Sequence, residues 1–411
     1  MVKSLRRAFT GVPTYAWAAC ACAESAEHKV IVLIASNLGA AETFAEETAS
    51  LLATLKGAKP EIKILTEPDA AIPTFEADCD LLGVLSALRH GQHTAQNPLI
   101  IACTPPTLLL ASPSHQKIKQ REWVIRKGDR LSIKECAQKL ATEFGYDHEV
   151  LCEQPGEFAL RGGIIDVYPL NATMPVRLDL FGEMVESLRP FDPATQRSEG
   201  EMEGLVICAP KEDLSQEDLD PFYRHLPPES LLIGVNEVFE QPILQELQGS
   251  NLDILSLQDT DDTPFDWEVK PLLSQSADTL RIGNDNDSLS HRLGLMQEAA
   301  RQCRDGKLCL LAGDTEGSVE RLRQEIKELS LAHFSPQIIQ ARFSGGFILP
   351  AQNFSEPLAQ GIILLTEREL FGRKNRPLAT LPRRRTAQQP AIGRALDFGE
   401  ISEGDFLVHA T

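Results

Sequence analysis

The stretch HKVIVLIASNLGAAETFAEETASLLATL (28–55) joins an uninterrupted apolar run to an amphipathic segment. A continuous apolar run is typical of a parallel strand buried on both faces, and the 3.6-residue period that follows it indicates a helix. NPLIIAC (97–103) indicates a second buried strand, which ends just before Pro105. Alternating strands and helices of this kind predict a doubly wound α/β domain.

A different pattern begins at Trp123. The segment EWVIRKGDRLSIKECAQKLATEFGY (122–146) predicts a strand, a polar turn and a helix whose N-cap is Ser132. Short alternating strands follow to about Ile207, which is typical of a compact α+β domain inserted into the first one. Buried strand and helix patterns then resume. The predicted divisions are 1–122 and 210–270 for the doubly wound domain, 123–209 for the insert, 271–372 for a second, small α/β domain and 373–398 for a basic linker.

Composition indicates the cellular environment. A hydrophobic fraction of 42% and a charged fraction of 24% are ordinary for a globular chain, and no apolar run is long enough to cross a membrane. The apolar patch 15–23 follows basic residues, as in a secretory leader, but it is short and rich in Ala and Cys. Nine scattered cysteines without a paired framework favour reduced thiols, so a cytoplasmic protein is expected.

The charge limits the possible role of nucleic acid as a partner. A formal net charge of −19 argues against a chain that binds nucleic acid over its whole surface, because phosphates would be repelled on average. The exception is FGRKNRPLATLPRRR (371–385), which is strongly basic and interrupted by proline. This segment fits a solvated linker, and the alternative is a contact with DNA or with an acidic partner.

The region 30–50 is where a nucleotide-binding domain would have its phosphate loop. Such a loop needs closely spaced glycines, a lysine and a Ser or Thr for magnesium, whereas ASNLGAAETF (35–44) has one glycine, Gly39, and no lysine. After the strand LLIGV, where an ATPase holds a metal-binding Asp followed by a Glu, this chain has Asn236 and Glu237. We therefore expect a degenerate nucleotide site, no cofactor and no ATP hydrolysis.

Other catalytic and metal sites have little support. The chain has no GxSxG elbow and no HExxH motif. A zinc site could be imagined from His90, His93, Cys79 and Cys103, but their spacing lacks the usual paired ligands. We expect neither a bound metal nor an enzyme.

The insert contains strands whose outward face is unusual. In MPVRLDLFGEMVESLRPFD (174–192), Gly182 fits the first position of a two-residue hairpin turn. Counting back in twos puts the aliphatic side chains on one face and Arg177 and Phe181 on the other, and the same alternation in the preceding strand places Arg161 outward. Two interpretations remain open. Either a second layer covers the aromatic residue and the arginines are solvated, or this face anchors a partner protein.

The run GEFALRGGIIDVYPLNATMPVRLDLFGEMVESLRPFDPATQRS (156–198) resembles the UvrB interaction domain signature of the bacterial transcription-repair coupling factor, Mfd, a domain shared with UvrB. The matching pattern is long and includes G-E-[FY]-x-x-R-G, D-[VL]-[YF]-P and E-S-[LI]-R-x-[FI]-D-x-x-[TS]-Q. LLTERELFGRK (364–374) resembles the end of the domain that precedes the family's polymerase-binding module, and ISEGDFLVHAT (401–411) resembles the opening of that module.

This resemblance implies an α/β protein with a doubly wound RecA- and UvrB-like domain, an inserted α+β domain that binds UvrA, and a second small α/β domain. The UvrA-contacting residues of the family fall on Arg161, Arg177 and Phe181. RNA polymerase and DNA would be bound only through modules missing from this sequence, of which 399–411 is a truncated start. The expected function is a non-catalytic adaptor of nucleotide excision repair that recruits UvrA to stalled transcription complexes.

Two rival functions stay open. The first is an active UvrB-like, ATP-dependent helicase or repair enzyme, although UvrB's phosphate loop and its Tyr-rich DNA hairpin have no counterpart here. The second is a DNA-binding architectural protein that uses 371–385. Nucleotide titration would separate the first from an adaptor, and a salt-dependent DNA affinity would support the second.

Overall fold

The computed structural model describes residues 6–68, 74–210, 214–239, 241–247, 250–259, 268–271, 275–276, 288–304, 306–329, 334–349 and 360–371. These residues form two compact units. The first is built from the described parts of 1–115 and 213–381, and the second from those of 116–212. The predicted basic linker 373–398, the segment 399–411 and all of 371–385 except Phe371 lie outside the described residues.

The strands and helices alternate along the first unit and are mostly strands in the second. The strands are β1 (Arg6–Thr10), β2 (Val30–Ile34), β3 (Glu61–Ile64), β4 (Leu99–Cys103), β5 (Ala111–Pro113), β6 (Glu122–Arg126), β7 (Asp147–His148), β8 (Glu157–Arg161), β9 (Ile164–Val167), β10 (Val176–Phe181), β11 (Met184–Pro190), β12 (Gly204–Cys208), β13 (Leu219–Pro221), β14 (Leu231–Val235), β15 (Asp253–Leu257), β16 (Glu268–Pro271), β17 (Gln275–Ser276), β18 (Leu308–Gly313), β19 (Gln337–Gln340), β20 (Phe347–Leu349) and β21 (Ile362–Thr366). The helices are α1 (Trp17–Glu24), α2 (Leu38–Lys56), α3 (Thr74–His90), α4 (His115–Gln120), α5 (Ile133–Thr142), α6 (Gln241–Glu246), α7 (Ser288–Arg304), α8 (Glu316–Leu329) and α9 (Glu367–Phe371).

The first unit contains a parallel sheet in the order β16-β1-β15-β14-β2-β4-β3. Every residue of the central strands β2, β4 and β14 is buried, which explains their uninterrupted apolar sequences, because a parallel sheet of this kind is covered on both faces. The predicted mixed α/β chain with a parallel sheet is therefore confirmed.

Helix α2 begins and ends at residues suited to those positions. The side chain of Asn37 accepts a hydrogen bond from the amide of Ala40 at 2.9 Å, which caps the amino end. Gly57 ends the helix with a φ of 62°, a left-handed conformation that glycine adopts without steric cost. The cap at Asn37 fixes the start of the helix only three residues after β2.

A second, mixed sheet in the first unit has the order β17-β20-β21-β18-β19. Side chains from this sheet and from the parallel sheet belong to one apolar core, which also contains α1. The apolar patch 15–23, which resembles a secretory leader only weakly, therefore supplies the buried residues of the core helix α1. The two α/β parts that the sequence predicts separately share this core.

The second unit is dominated by a five-stranded sheet in the order β11-β10-β9-β8-β7, with a separate pair β12-β6. Helix α5 precedes the sheet, and its N-cap is Ser132, whose hydroxyl accepts a hydrogen bond from the amide of Glu135 at 3.2 Å, as the sequence predicts. Each of the strands β8, β9, β10 and β11 runs antiparallel to its neighbours, so the turns that join them lie alternately at the two ends of the sheet.

All nine cysteines are free thiols, and eight of them are buried. Within the part of the chain that the structure describes, no helix is long and apolar enough to span a membrane.

One buried carboxyl makes the first unit sensitive to pH. Glu47, on α2, is buried, and its Oε1 accepts a hydrogen bond from the amide of Ser344. Burial raises the pKa of Glu47 to about 7, and the hydrogen bond only partly opposes this shift. A folded-state pKa above the unfolded one means that stability is present at low pH and is lost as the pH rises through about 7.

We expect the substitution Glu47→Gln to remove this loss. The difference in free energy of unfolding between variant and wild type should grow from pH 5 to pH 8 in favour of the variant, by about 3 kcal/mol at most. Urea denaturation at the two pH values measures it, with Glu27→Gln, at an exposed position, as the control. A difference that does not change with pH would contradict the assignment.

Candidate partner-binding surface

Two hairpin turns lie at the same end of the five-stranded sheet. Gly162 and Gly163 connect β8 to β9, and Gly182 and Glu183 connect β10 to β11. Gly182 has a φ of 65°, so the two-residue turn that the sequence predicts is present, with glycine supplying the positive φ at its first position. Gly163 also approaches β10 closely, because its carbonyl accepts a hydrogen bond from the amide of Leu180 at 2.9 Å.

Arg161 and Phe181 stand directly before these turns and are exposed, as strand alternation predicts. The side chain of Phe181 is 79% exposed. Arg161 forms no ion pair or side-chain hydrogen bond with any other residue in the described part of the chain. Since β8 and β10 are separated by β9, the two residues are on one face of the sheet with about 10 Å between their strands.

Arg177 lies on the same face, as strand alternation predicts, but this position is largely covered and not open to solvent as the sequence led us to expect. Its side chain is only 15% exposed and forms two bonds to Asp166, with Nε to Oδ1 at 2.7 Å and Nη2 to Oδ2 at 2.8 Å. The guanidinium also lies 4.6 Å from the centre of the Phe191 ring. Asp166 and Arg177 are directly opposite each other on β9 and β10, so the sheet register itself brings them together.

A small apolar cluster explains why this part of the face is covered. Cys152, Ala159, Tyr168 and Phe191 are fully buried together on it. The hydrogen bond to Asp166 raises the pKa of the Arg177 guanidinium above its usual value, which keeps the charge in place despite partial burial. Burial and the nearby Asp166 carboxylate raise the pKa of the Cys152 thiol, so this cysteine stays protonated and inert.

The next position along β10 is also paired. Asp179 accepts a hydrogen bond from the hydroxyl of Ser187 at 2.6 Å and forms an ion pair with Arg189. Beyond Asp179 the register of β10 and β11 shifts by one residue, which is a β-bulge. The face therefore changes from a paired interior to an open tip within four residues.

Two residues that the sequence analysis did not single out complete this tip. Met184 is opposite Phe181 across the turn and is 51% exposed. The loop 126–131 continues the sheet beside β11, since Leu131 donates to the carbonyl of Glu183 at 2.7 Å and Gly128 to that of Val185 at 2.8 Å. This pairing sets exposed Arg130 opposite Met184. Met184 could have been found by counting across the hairpin, whereas Arg130 could not, because its pairing is tertiary.

The exposed tip, which we call the arginine–aromatic tip, consists of Arg130, Arg161, Phe181 and Met184. It combines two apolar side chains with two guanidinium groups that have no ion-pair partner among the described residues. Aromatic residues, methionine and arginine are enriched in the cores of protein interfaces. The arrangement fits a partner surface that offers an apolar pocket between carboxylates.

The residues predicted for the degenerate nucleotide site lie elsewhere, in the first unit. Gly39 is the second residue of α2, and only residues 35–37 separate β2 from this helix. A phosphate loop has several residues between strand and helix, which wrap the phosphates, and three cannot do so. A Cβ at Gly39 would meet only the Asn37 side chain, at 3.7 Å, so nothing there requires glycine.

Asn236 follows β14 and reverses the chain. Its φ is 55°, a left-handed conformation that asparagine tolerates better than most residues. The reversal packs Val238 and Phe239 onto Gly234, where an added Cβ would come within 2.4 Å of both side chains. Glu237 belongs to the same short 3-10 turn. The structure thus places Asn236, but not Gly39, on the cleft at the carboxyl ends of the strands.

Comparison with known proteins identifies the segment that carries the tip. Residues 124–212 match the family model described as the UvrB interaction domain. The chain is also similar to transcription-repair-coupling factors: 30% identical over 185 residues to that of Bacillus subtilis strain 168, 39% over 101 residues to that of Staphylococcus haemolyticus and 30% over 140 residues to that of Haemophilus influenzae. The resemblance drawn from the sequence is thereby confirmed for these segments.

These matches cover 45%, 25% and 34% of this chain. They cover only 15%, 8% and 12% of the relatives' own length. The similarity therefore concerns a small part of each coupling factor.

Substitution of Arg177 and substitution of Arg161 should differ in their effect on the free energy of unfolding. Arg177→Ala would leave the carboxylate of Asp166, which is 1% exposed, without its partner, and removal of one member of a buried pair typically costs about 3–5 kcal/mol. Arg161→Ala removes an exposed, unpaired side chain, so its effect should stay below about 0.5 kcal/mol. Hydrogen exchange of the peptides spanning 157–190 measures both, and equal protection in the two variants would refute the distinction.

Proposed function

We propose that this chain is a non-catalytic adaptor of nucleotide excision repair whose inserted unit binds UvrA. The observation that supports this most directly is the arginine–aromatic tip, because it lies inside the segment that matches the UvrB interaction domain. Phe181 and Met184 in this tip are 79% and 51% exposed, and the exposure of two adjacent large apolar side chains is unfavourable unless a partner covers them.

The geometry gives each residue of the tip a separate role. Phe181 and Met184 are adjacent across a two-residue turn, so they can enter one apolar pocket as a rigid pair. Arg161, on β8, and Arg130, on the loop 126–131, flank them and can each meet a carboxylate or a main-chain carbonyl of UvrA. Two glycines in the turn next to Arg161 leave room for the partner's main chain to approach.

Arg177 has an indirect role in this proposal. Its ion pair with Asp166 joins β9 to β10 and, through the ring of Phe191, covers the lower part of the face. It thereby holds the register that places Phe181 at the end of β10. We assign Arg177 to positioning of the tip and Arg161 and Phe181 to direct contact.

Recruitment of UvrA to stalled transcription complexes is the wider role that we infer. It rests on the similarity to proteins named as transcription-repair-coupling factors, which covers only a small part of those proteins. In this proposal the chain contributes the UvrA-binding step, and contacts with RNA polymerase and DNA belong to other modules.

The absence of catalysis is proposed from the region where a nucleotide-binding domain would have its phosphate loop. The amide of Ala40 at the start of α2 is already bonded to the side chain of Asn37. The turn between β2 and α2 is short, and Asn236 replaces the carboxylate that would hold magnesium. None of these features suits the binding of a triphosphate.

UvrA binding tests the proposal. Phe181→Ala and Arg161→Ala should each weaken the affinity for UvrA by roughly thirtyfold, since truncation of an interface anchor typically costs about 2 kcal/mol. Calorimetric titration of UvrA measures this effect. Phe75→Ala, at an exposed phenylalanine of α3, and Lys134→Ala, at an exposed cation of α5, serve as matched controls and should bind normally. If both tip variants bind like wild type, the tip is not the interface.

The non-catalytic assignment has its own test. The purified chain should release no phosphate from ATP above background, with or without DNA, because neither the phosphate loop nor the metal carboxylate is available. Steady-state phosphate release measures this. Turnover that disappears in Glu237→Gln would show that the site is active and would overturn the assignment.

A further inference from the structure

The cleft at the carboxyl ends of β2, β4, β14 and β15 is not accounted for by the proposed function. It encloses about 800 Å³ and is lined by residues that follow these strands. Cleft volumes of about 300–1,000 Å³ are typical of small-molecule sites, and ligands of open α/β sheets bind outside the carboxyl ends of the strands. Loss of a phosphate loop has therefore not closed the cleft.

One wall of the cleft is apolar and partly unshielded. It is formed by Trp17, Pro105, Pro106 and Leu109. The indole nitrogen of Trp17 already donates to the carbonyl of Val12 at 3.3 Å, so the ring presents an apolar surface. Leu109 is 37% exposed although it is a large aliphatic residue. A flat apolar ligand that packs against this wall would shield its apolar surface from water, which is favourable.

Polar residues of the lining are held in place by internal hydrogen bonds. Gln258 is buried, and its Nε2 donates to the carbonyl of Asn236 at 2.6 Å and to the hydroxyl of Ser256 at 2.5 Å. With Nε2 thus engaged, the side-chain oxygen Oε1 of Gln258 accepts no hydrogen bond from any other described residue, whereas its main-chain carbonyl accepts one from the amide of Val12 at 2.8 Å. The amide of Asp259 is bonded to Asn236 Oδ1 at 3.3 Å, which fixes the position of this exposed residue.

The charge of the lining residues also limits which class of ligand can bind in the cleft. Asp259 is the only charged residue among the described residues that line the cleft. A carboxylate without a balancing cation repels phosphates and attracts cations. The side-chain oxygen Oε1 of Gln258 can accept a hydrogen bond from a ligand that carries a donor. The lining therefore disfavours a nucleotide.

We infer that this cleft binds an aromatic compound that carries an amine. The ring would lie against Trp17, Pro105 and Leu109. The protonated amine would reach the carboxylate of Asp259 and the side-chain oxygen Oε1 of Gln258. This site is separate from the arginine–aromatic tip, and the inference does not depend on UvrA binding.

Titration calorimetry of the whole chain with three probes tests the inference. Tryptamine should bind saturably with a dissociation constant on the order of 1 mM or tighter, as expected for a ligand of its size. Indole-3-acetate has the same ring but the opposite charge, and ATP has a charged phosphate chain, so neither should bind measurably. Equal affinity for tryptamine and indole-3-acetate, or no saturable binding of tryptamine, would overturn the inference.

Two variants locate the site. Asp259→Asn should weaken tryptamine binding at least about fivefold, because the paired charge is lost. Leu109→Arg places a cation on the apolar wall and should abolish tryptamine binding while allowing indole-3-acetate to bind. Phe75→Arg, at an exposed phenylalanine outside the cleft, is the control for the second variant. If Leu109→Arg behaves like Phe75→Arg at an unchanged melting temperature, the cleft is not the binding site.

Discussion

The ion pair between Arg177 and Asp166 is the interaction on which the inserted unit depends. A guanidinium and a carboxylate are costly to remove from water, and here two short bonds, the Phe191 ring and a strand register that sets the residues opposite each other offset that cost. Because the pair satisfies the charges on the covered part of the face, the adjacent tip can remain open. Along β10, the paired residues Arg177 and Asp179 are thus followed by the exposed Phe181.

The structure bears on the first of the two interpretations that the sequence left open. The aromatic residue Phe181 is not covered, and the part of the face that is covered holds Arg177 instead. At this end of the sheet, β10 and β11 are joined by a tight turn that follows a β-bulge, and Phe181 and Met184 stand on either side of that turn. A surface built on strands keeps its side chains in fixed positions, so a partner loses less conformational freedom when it binds.

The carboxyl edge of the parallel sheet in the first unit has a short connection from β2 to α2. Only residues 35–37 separate the strand from the helix, and the helix start is capped by its own Asn37. The strands still end in a cleft because the βα connections diverge there, whatever residues they contain. Among the described residues that line this cleft, Asp259 is the only charged one.

The sequence by itself determined the parallel strands, the hairpin at Gly182, the cap at Ser132 and the lack of a phosphate loop. Each of these features follows from a short local motif or from a run of apolar residues. Residues that are neighbours along the chain are enough to specify such a feature. Only the tertiary structure decided that Arg177 is paired, that Arg130 stands opposite Met184 and that residues 17–24 form a core helix. Strand alternation assigns a side chain to a face, but whether that face is covered depends on residues distant in sequence, such as Phe191.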